Sequence, residues 1–327
     1  MVVNCSIVIP LYNKKKYILR TINSILAQSY TSYECIIIDS SNDGSTDIIQ
    51  QINDHRIIHI IRDRTTAAAA RNLGVQLARS EIIAFIDADD EWTPLHLETL
   101  ILLHQKLPHA GLLATPYIKI RPDKKKMVMV FANIPSPPWE GYIQRFFYTC
   151  SMGDIPICSS NCAIKKTDFL AIGGFQEDLI YGEDQHLWCR FALLYPVGFS
   201  WKGPAIYHTE AEGRICNTPH HLHDDPLSAY LENELLSPFL TQEQANDIKS
   251  YIKRRRLMIR FSNMVSVSKN TQNKTIQKSN DKHNLIIGLM KPMKRVISLL
   301  LLRLYVSYGY NIWRRFRCII HGWYIPE

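Results

Sequence analysis

The sequence predicts an α/β fold on a mostly parallel sheet, and three observations carry that prediction. Through the first hundred residues, strand-length apolar runs alternate with longer amphipathic segments, the rhythm of βαβ units with helices on both faces of a sheet. Runs such as Ile82-Ile83-Ala84-Phe85-Ile86 are apolar without alternation, as strands buried on both faces must be. Polar residues then gather where those runs end, most densely in Asp87-Ala88-Asp89-Asp90. In open α/β sheets the carboxyl ends of the strands form the ligand-binding edge.

The elements follow in order. Residues 5–11 read as a strand and 14–28 as an amphipathic helix, which Asn13 is placed to cap. Residues 33–39 form the next strand, and 45–51 a short helix with Ser45 as its N-cap. A strand at 57–61 precedes a helix at 67–78, whose four consecutive alanines permit close packing. The strand ending in Asp87 follows. Right-handed crossovers bring the ends at Leu11, Asp39 and Asp87 to one edge. Asp90 reads as a cap for a helix beginning near Thr93-Pro94. In the second half, 155–164 reads as a strand and a helix from Thr167 ends at Gly173-Gly174. Gly182-Glu183-Asp184 then stands before an amphipathic helix carrying Leu187, Trp188, Phe191 and Leu194.

The polar residues at those ends suit a nucleotide and a cation. Tyr12 presents an aromatic face, and the Asp39 carboxylate can accept from the imide nitrogen of a uracil ring. Asp43-Gly44 supplies a turn, and Arg71 suits a phosphate or a carboxylate. Closely spaced carboxylates offer hard oxygen ligands to a divalent cation that also holds a phosphate. A carboxylate at a helix N-terminus, as at Asp184, is stabilised in its charged form. The run His220-His221-Leu222-His223-Asp224-Asp225 lies between two prolines and reads as a solvated loop.

Composition narrows the function classes. The chain has 327 residues, 46% of them hydrophobic, enough for one large core or two smaller ones. Its eight cysteines form no CxxC pair; they read as buried reduced thiols rather than zinc ligands. With no signal peptide at the start, a cytoplasmic setting is expected. Residues 251–327 carry 16 Lys and Arg against 2 acidic residues, whereas 1–250 carry 22 against 28. Basic charge is thus a property of the tail, an arrangement unlike a nucleic-acid-binding face. Residues 265–284 read as a polar linker. The apolar segment within 291–317 is flanked by Lys and Arg and interrupted by Arg303, so it suits an interfacial helix at an anionic membrane better than a spanning one. A helix packed in a homodimer interface is the alternative.

Taken together, Ile9-Pro10-Leu11-Tyr12-Asn13, Ile38-Asp39 with Asn42-Asp43-Gly44-Ser45-Thr46-Asp47, Ala70-Arg71-Asn72-Leu73-Gly74 and Phe85-Ile86-Asp87-Ala88-Asp89-Asp90 resemble glycosyltransferase family 2, of GT-A fold. The likeness continues through Gly173-Gly174-Phe175, Gly182-Glu183-Asp184, Leu187-Trp188 and Arg190-Phe191, spanning about residues 5–210. It implies a nucleotide-sugar donor, Mn2+ or Mg2+, and transfer with inversion to a glycan or lipid-linked acceptor. By the same resemblance Pro10, Tyr12, Asp39, Arg71 and Asp87 bind the donor, Asp89 and His208 hold the metal, Asp184 is the general base and Glu183 meets the acceptor. The QxxRW motif of processive members is absent, which points to a single transfer per encounter. The expected organisation is a GT-A domain over 1–225, with a nucleotide-sugar half at 1–117 and an acceptor half at 118–225. A basic helical region follows at 226–327. A bacterial enzyme of surface polysaccharide or lipopolysaccharide synthesis, peripheral on the inner membrane face, fits these features. A sugar-nucleotide nucleotidyltransferase, or a binding protein on the same scaffold, is the other reading. The first would normally carry a glycine-rich phosphate loop after its first strand, and the second would be expected to lose carboxylates; Asp39, Asp87, Asp89 and Asp184 are all present.

Overall fold

The computed structural model describes residues 4–179, 181–212 and 225–276, with side chains through 260. They fall into two compact units that divide between residues 218 and 219.

In the first unit, β1 (Cys5–Leu11), α1 (Ile18–Leu26), β2 (Tyr33–Asp39), α2 (Ser45–Gln50), β3 (Ile57–Ile61), α3 (Ala67–Leu77) and β4 (Ile82–Phe85) follow the expected alternation. Strands β2, β1 and β4 lie side by side at the centre of the sheet, and Ile7, Val8, Ile9, Ile37, Ile83 and Phe85 have no exposed surface. Both faces being covered is the physical reason these strands are apolar throughout. Helix α3 is capped by Thr66, whose Oγ1 accepts from the Ala69 N–H at 3.1 Å. It packs closely on β1: a Cβ placed on Gly74 would stand 2.4 Å from Val8 Cγ1.

The chain continues through β5 (Glu91–Trp92), α4 (His96–Lys106), β6 (Leu112–Ala114), β7 (Tyr117–Ile120), β8 (Lys126–Val128), β9 (Glu140–Tyr142) and α5 (Phe146–Met152). A 3-10 turn at Ser159–Asn161 leads to β10 (Cys162–Lys165), α6 (Lys166–Ala171), α7 (Glu183–Leu194), β11 (Val197–Ser200) and β12 (Ala205–His208). Eight strands form the main sheet in the order β3-β2-β1-β4-β10-β6-β11-β9, and a second sheet runs β5-β12-β7-β8. The α/β class is as expected. The main sheet is mostly parallel as well, with two exceptions: β10 inserts antiparallel between β4 and β6, and β9 closes the edge antiparallel to β11.

Several local expectations are corrected. Asn13 does not cap α1, which starts only at Ile18; its backbone takes a positive φ of 52° and its Oδ1 accepts from the Asn42 N–H instead. Gly44, with φ 87°, precedes α2, and Ser45 is already the first helical residue. Only residues 162–164 of the 155–164 run lie in a strand, which continues to Lys165, because Asn161 ties the preceding segment into a turn by accepting from the Cys158 N–H and donating to the carbonyls of Pro156 and Thr115. The six described cysteines are thiols, five of them buried.

The second unit holds α8 (Pro226–Glu234) and α9 (Gln242–Ile276). The polar linker expected from 265 is helical through 276, since no proline or glycine interrupts the backbone hydrogen bonding between 242 and 276. Arg255 Nε pairs with Asp225 at 2.9 Å, and Arg256 with Glu232 at 2.6 Å, joining the two helices. The His220–Asp225 run, except Asp225, and the 291–317 segment lie outside the described residues. Among the described residues, no helix is long and apolar enough to cross a membrane.

Candidate active site

The acidic cluster sits on a turn rather than on the strand. β4 ends at Phe85, and the Asp90 N–H closes the turn on the Asp87 carbonyl at 3.1 Å. A turn sends successive side chains in different directions, and the three carboxylates find three different partners.

Asp87 meets Arg71, whose Nη2 donates to Asp87 Oδ1 at 2.6 Å while Nη1 donates to Glu183 Oε1 at 3.0 Å. Arg71 is 4% exposed and its guanidinium lies over the Phe175 ring, 5.3 Å from the centroid. Burial opposes its charge, yet Asp87, Glu183 and Asp184 together hold it firmly protonated. One arginine from α3 thus joins a carboxylate after β4 to a carboxylate opening α7, 112 residues apart in sequence from itself. Its Nε is buried with no hydrogen-bond partner among the described residues. Beneath it, the rings of Phe85, Phe169, Phe175 and Trp188 pack against one another.

Asp89 meets Lys14, with Nζ 2.8 Å from Oδ2 and both side chains largely covered. Lys14 Nζ also donates to the Glu212 carbonyl at 2.9 Å.

Asp90 turns inward and does not cap α4, which begins at His96 without a side-chain cap. Its Oδ2 accepts from Ser160 Oγ at 2.5 Å and its Oδ1 from the His208 N–H at 2.9 Å. The same Ser160 Oγ accepts from the Asp87 N–H at 3.1 Å. Burial, with Asp89 and Asp87 nearby, pushes the Asp90 carboxyl well above its usual range. A carboxyl is a tolerable interior group here because both oxygens have donors.

At the head of α7, Gly182 has φ 77°, a left-handed conformation suited to glycine, and places Glu183 and Asp184 in the first turn. The helix terminus favours charge on Asp184, but burial and the adjacent Glu183 dominate and raise its carboxyl to about 6, with Arg71 opposing. The expectation of a helix-stabilised charge is therefore modified. Asp184 is still ionised at neutral pH while holding a proton affinity high enough for a general base.

The first two strand ends are held together by the loops they open. Ser40 N–H donates to the Leu11 carbonyl at 3.0 Å, Asn13 N–H to Ser41 Oγ at 3.0 Å, and Lys15 N–H to Asp43 Oδ2 at 3.0 Å. Pro10 lies beside Ile38 in the β1–β2 register. Tyr12 is 43% exposed, with the Arg64 guanidinium 5.8 Å from its ring centroid. Asp39 is fully buried: its carboxylate accepts from the Ser41 N–H and from Thr46 Oγ1, and lies 2.9 Å from His59 Nε2. Burial opposes the Asp39 charge, but these hydrogen bonds outweigh it and hold the carboxyl below its usual range. All three partners are protein groups, so Asp39 organises the loop from behind.

His208 ends β12 between two glutamates, with Nε2 2.5 Å from Glu91 Oε1 and Nδ1 2.7 Å from Glu210 Oε1. Arg20 reaches both glutamates, at 3.4 and 3.6 Å, and donates to the Asp89 carbonyl at 2.7 Å. Both ring nitrogens of His208 are thus engaged by protein carboxylates.

A divalent cation fits Asp89 and not His208 as it stands. The Asp89 carboxylate already accepts a cationic group, the Lys14 ammonium. No cluster of three His, Cys, Asp or Glu capable of holding a metal occurs among the described residues. That is compatible with Mg2+ or Mn2+, which are commonly held by one or two carboxylates with the remaining ligands from substrate phosphates and water. His208 would first have to leave Glu91 or Glu210.

The structure therefore brings Arg71, Asp87, Glu183 and Asp184 into one site, with Asp89 on the same turn as Asp87. Lys14, Arg20, His59 and Ser160 complete these contacts and escaped the sequence reading. Lys14 and Ser160 lie next to strand ends, the one signal that could have marked them.

Comparison with known proteins agrees with this architecture. The profile described as Glycosyl transferase family 2 matches residues 6–170. A putative colanic acid biosynthesis glycosyl transferase WcaA of Escherichia coli K12 is 35% identical over 148 residues, 44% of this chain and 52% of that protein. The Escherichia coli protein WfaP, named a UDP-Glc:alpha-D-GlcNAc-diphosphoundecaprenol beta-1,3-glucosyltransferase, is 43% identical over 98 residues, 29% of this chain and 39% of that protein. This chain thus spans about half of the first relative's length and less of the second's. In three dimensions the S. aureus TarS 1-349 crystal structure covers 77% of this chain and 71% of its own, with a TM-score of 0.58 at 17% identity. That likeness is one of fold.

Proposed function

The chain belongs to glycosyl transferase family 2, and on that premise we propose that it transfers a sugar, with inversion, from a UDP-sugar to a hydroxyl of a glycan or lipid-linked acceptor. The observation that carries the reading is Arg71, which fastens Asp87 on the donor side to Glu183 beside Asp184. Donor and acceptor groups are thereby held in one frame. The UDP-sugar and the lipid-linked acceptor are supported by the name of WfaP, and surface polysaccharide synthesis by the name of WcaA.

In this mechanism Pro10, Tyr12 and the loop organised by Asp39 receive the nucleoside, and Asp87 faces the ribose. The acceptor, oriented by Glu183, places its hydroxyl against Asp184. As the acceptor oxygen bonds to the anomeric carbon, Asp184 takes the hydroxyl proton and the bond from that carbon to the diphosphate breaks, so the sugar inverts. A Mg2+ or Mn2+ ion on Asp89 would supply charge neutralisation to the leaving diphosphate. Lys14, beside Asp89, adds a positive charge at the same place.

The test is a panel of nucleotide-sugars with manganese and a lipid-linked glycan acceptor, following product by mass spectrometry. A β-linked product from an α-linked donor is expected; turnover of no donor, or a retained configuration, would sink the proposal. The membrane-associating and dimer-forming roles read for residues 291–317 concern a segment outside the described residues.

A further inference from the structure

We infer that the β7–β8 hairpin is a docking element for an anionic lipid surface. Lys119, Arg121, Lys124, Lys125 and Lys126 lie within twelve residues, 117–128, accompanied by a single acid, Asp123. Outside this hairpin, residues 4–212 carry 15 Lys and Arg against 21 Asp and Glu. The hairpin thus carries a local excess of positive charge in an otherwise acidic unit. Residues 121–126 are all exposed, and Lys124, Lys125 and Lys126 form no ion pair among the described residues. Arg121 reaches only Asp123, at 3.5 Å.

Protection of a sheet edge does not account for this pattern. Edge strands are often blunted by lysine, and β8 is the edge strand of its sheet. Only Lys126 lies on β8, however; Arg121, Lys124 and Lys125 occupy the tip beyond both strands. Unpaired Lys124 and Lys125 at an exposed tip, with Lys126 beside them, meet the requirement for attraction to anionic headgroups, whose field fades within a Debye length of the surface.

The root of the hairpin ties it to the active site. Ile120, the last residue of β7, pairs with His208, whose N–H binds Asp90, and the Thr209 N–H donates to the Ile120 carbonyl at 2.9 Å. A membrane held by the tip would lie at a fixed offset from the acidic turn, where a lipid-linked acceptor must present its sugar. The link to the acceptor rests on the lipid-linked reading proposed above; the lipid contact itself does not.

Co-sedimentation of the full chain with phosphatidylcholine vesicles, with and without phosphatidylglycerol, tests this. Relative to wild type, K124E/K125E should bind the anionic vesicles at least about tenfold more weakly at low salt, while K202E, an exposed lysine elsewhere in the unit, should stay within about twofold. Equal losses in both variants, or unchanged binding of K124E/K125E, would overturn the inference. So would single-stranded RNA binding the wild type more tightly than the vesicles. Transfer to a lipid-linked acceptor in detergent is measured in parallel. Wild type that binds anionic vesicles through the hairpin yet glycosylates no lipid-linked acceptor would sink the acceptor reading and leave the hairpin standing.

Discussion

Lys14 and Asp89 form a 2.8 Å ion pair at the end of the sheet, the lysine arriving just after β1 and the aspartate on the turn after β4. An ammonium on this carboxylate competes with any divalent cation for the same oxygen. Lys14→Met should therefore tighten manganese binding to the donor-free protein by about tenfold, a modest part of the Coulomb energy at such a distance. Lys14→Arg should not. Manganese titration by electron paramagnetic resonance reads the difference; a weaker or unchanged affinity in the methionine variant would contradict the competition. Asp89→Asn should abolish the binding in either background.

Asp184 sets the expected pH dependence. Its carboxyl, raised to about 6 by burial and by Glu183, must lose its proton to act as base. The acid limb of the kcat/KM profile should therefore bend near pH 6, with activity falling below it. A carboxyl that binds its proton more tightly when folded costs stability once ionised. That cost is absent below the unfolded value near 4, grows between about 4 and 6, and is complete above. Asp184→Asn should accordingly stop transfer, keep donor binding, and melt higher than wild type at pH 8 but not at pH 4. A variant that still transfers sugar would remove Asp184 from the reaction.

Arg71→Met leaves Asp87 and Glu183 without their shared partner in a covered site. Removing one member of a buried ionic group costs about 3–5 kcal/mol, which urea unfolding should register. Arg71 also opposes the upward shift at Asp184. The acid limb should therefore move to higher pH in whatever folded variant is recovered, Arg71→Lys included where its single ammonium, lacking the guanidinium fork, gives up one carboxylate. An unmoved limb would show that Arg71 does not act on the base.

Ser160→Ala removes one hydroxyl that both donates to Asp90 and accepts from the Asp87 backbone. The loss of partners for two covered groups should cost about 1–3 kcal/mol by chemical unfolding. Donor affinity should fall as well, because the turn carrying Asp87 and Asp89 loses its anchor. Full stability in the alanine variant would mean that the turn is held elsewhere.

Gly74→Ala probes the fold rather than the chemistry. Its new methyl group would meet Val8 at 2.4 Å, and overpacking of this kind typically costs about 1–3 kcal/mol. Val8→Ala in the same chain should restore part of the loss; no rescue would locate the strain in the helix instead.

The part of the fold that was legible in the sequence is the part governed by local rules. Apolar runs marked β1, β2 and β4 almost to the residue, because strands covered on both faces tolerate little else; β3, a half-covered edge strand, was marked by its four isoleucines. β10 was misread as a longer strand because its turn is held by Asn161 through carbonyls of Pro156 and Thr115, contacts with no periodic signature. At the site, clustering after a strand exposed Asp87 and Asp89, whereas Asp184 was marked by its place at a helix N-terminus and by the family resemblance. The division of labour among the three neighbouring aspartates was not readable, since it depends on Arg71, Lys14 and Ser160, which come from three distant segments. Asp90 shows the point most clearly: beside Pro94 it looks like a cap, and only the arrival of Ser160 and His208 makes it an interior crosspiece.

The antiparallel entry of β10 has a mechanical consequence. Ala163 stands opposite Ala84 on one side and Leu113 on the other, so backbone hydrogen bonds run without a break from the strand that delivers the aspartates to those of the later half. No hinge can open along that seam without unzipping a sheet. New acceptors must therefore be accommodated in evolution by changing what hangs from the frame, its loops and its β7–β8 hairpin, while the strand pairing between the two halves of the sheet stays locked.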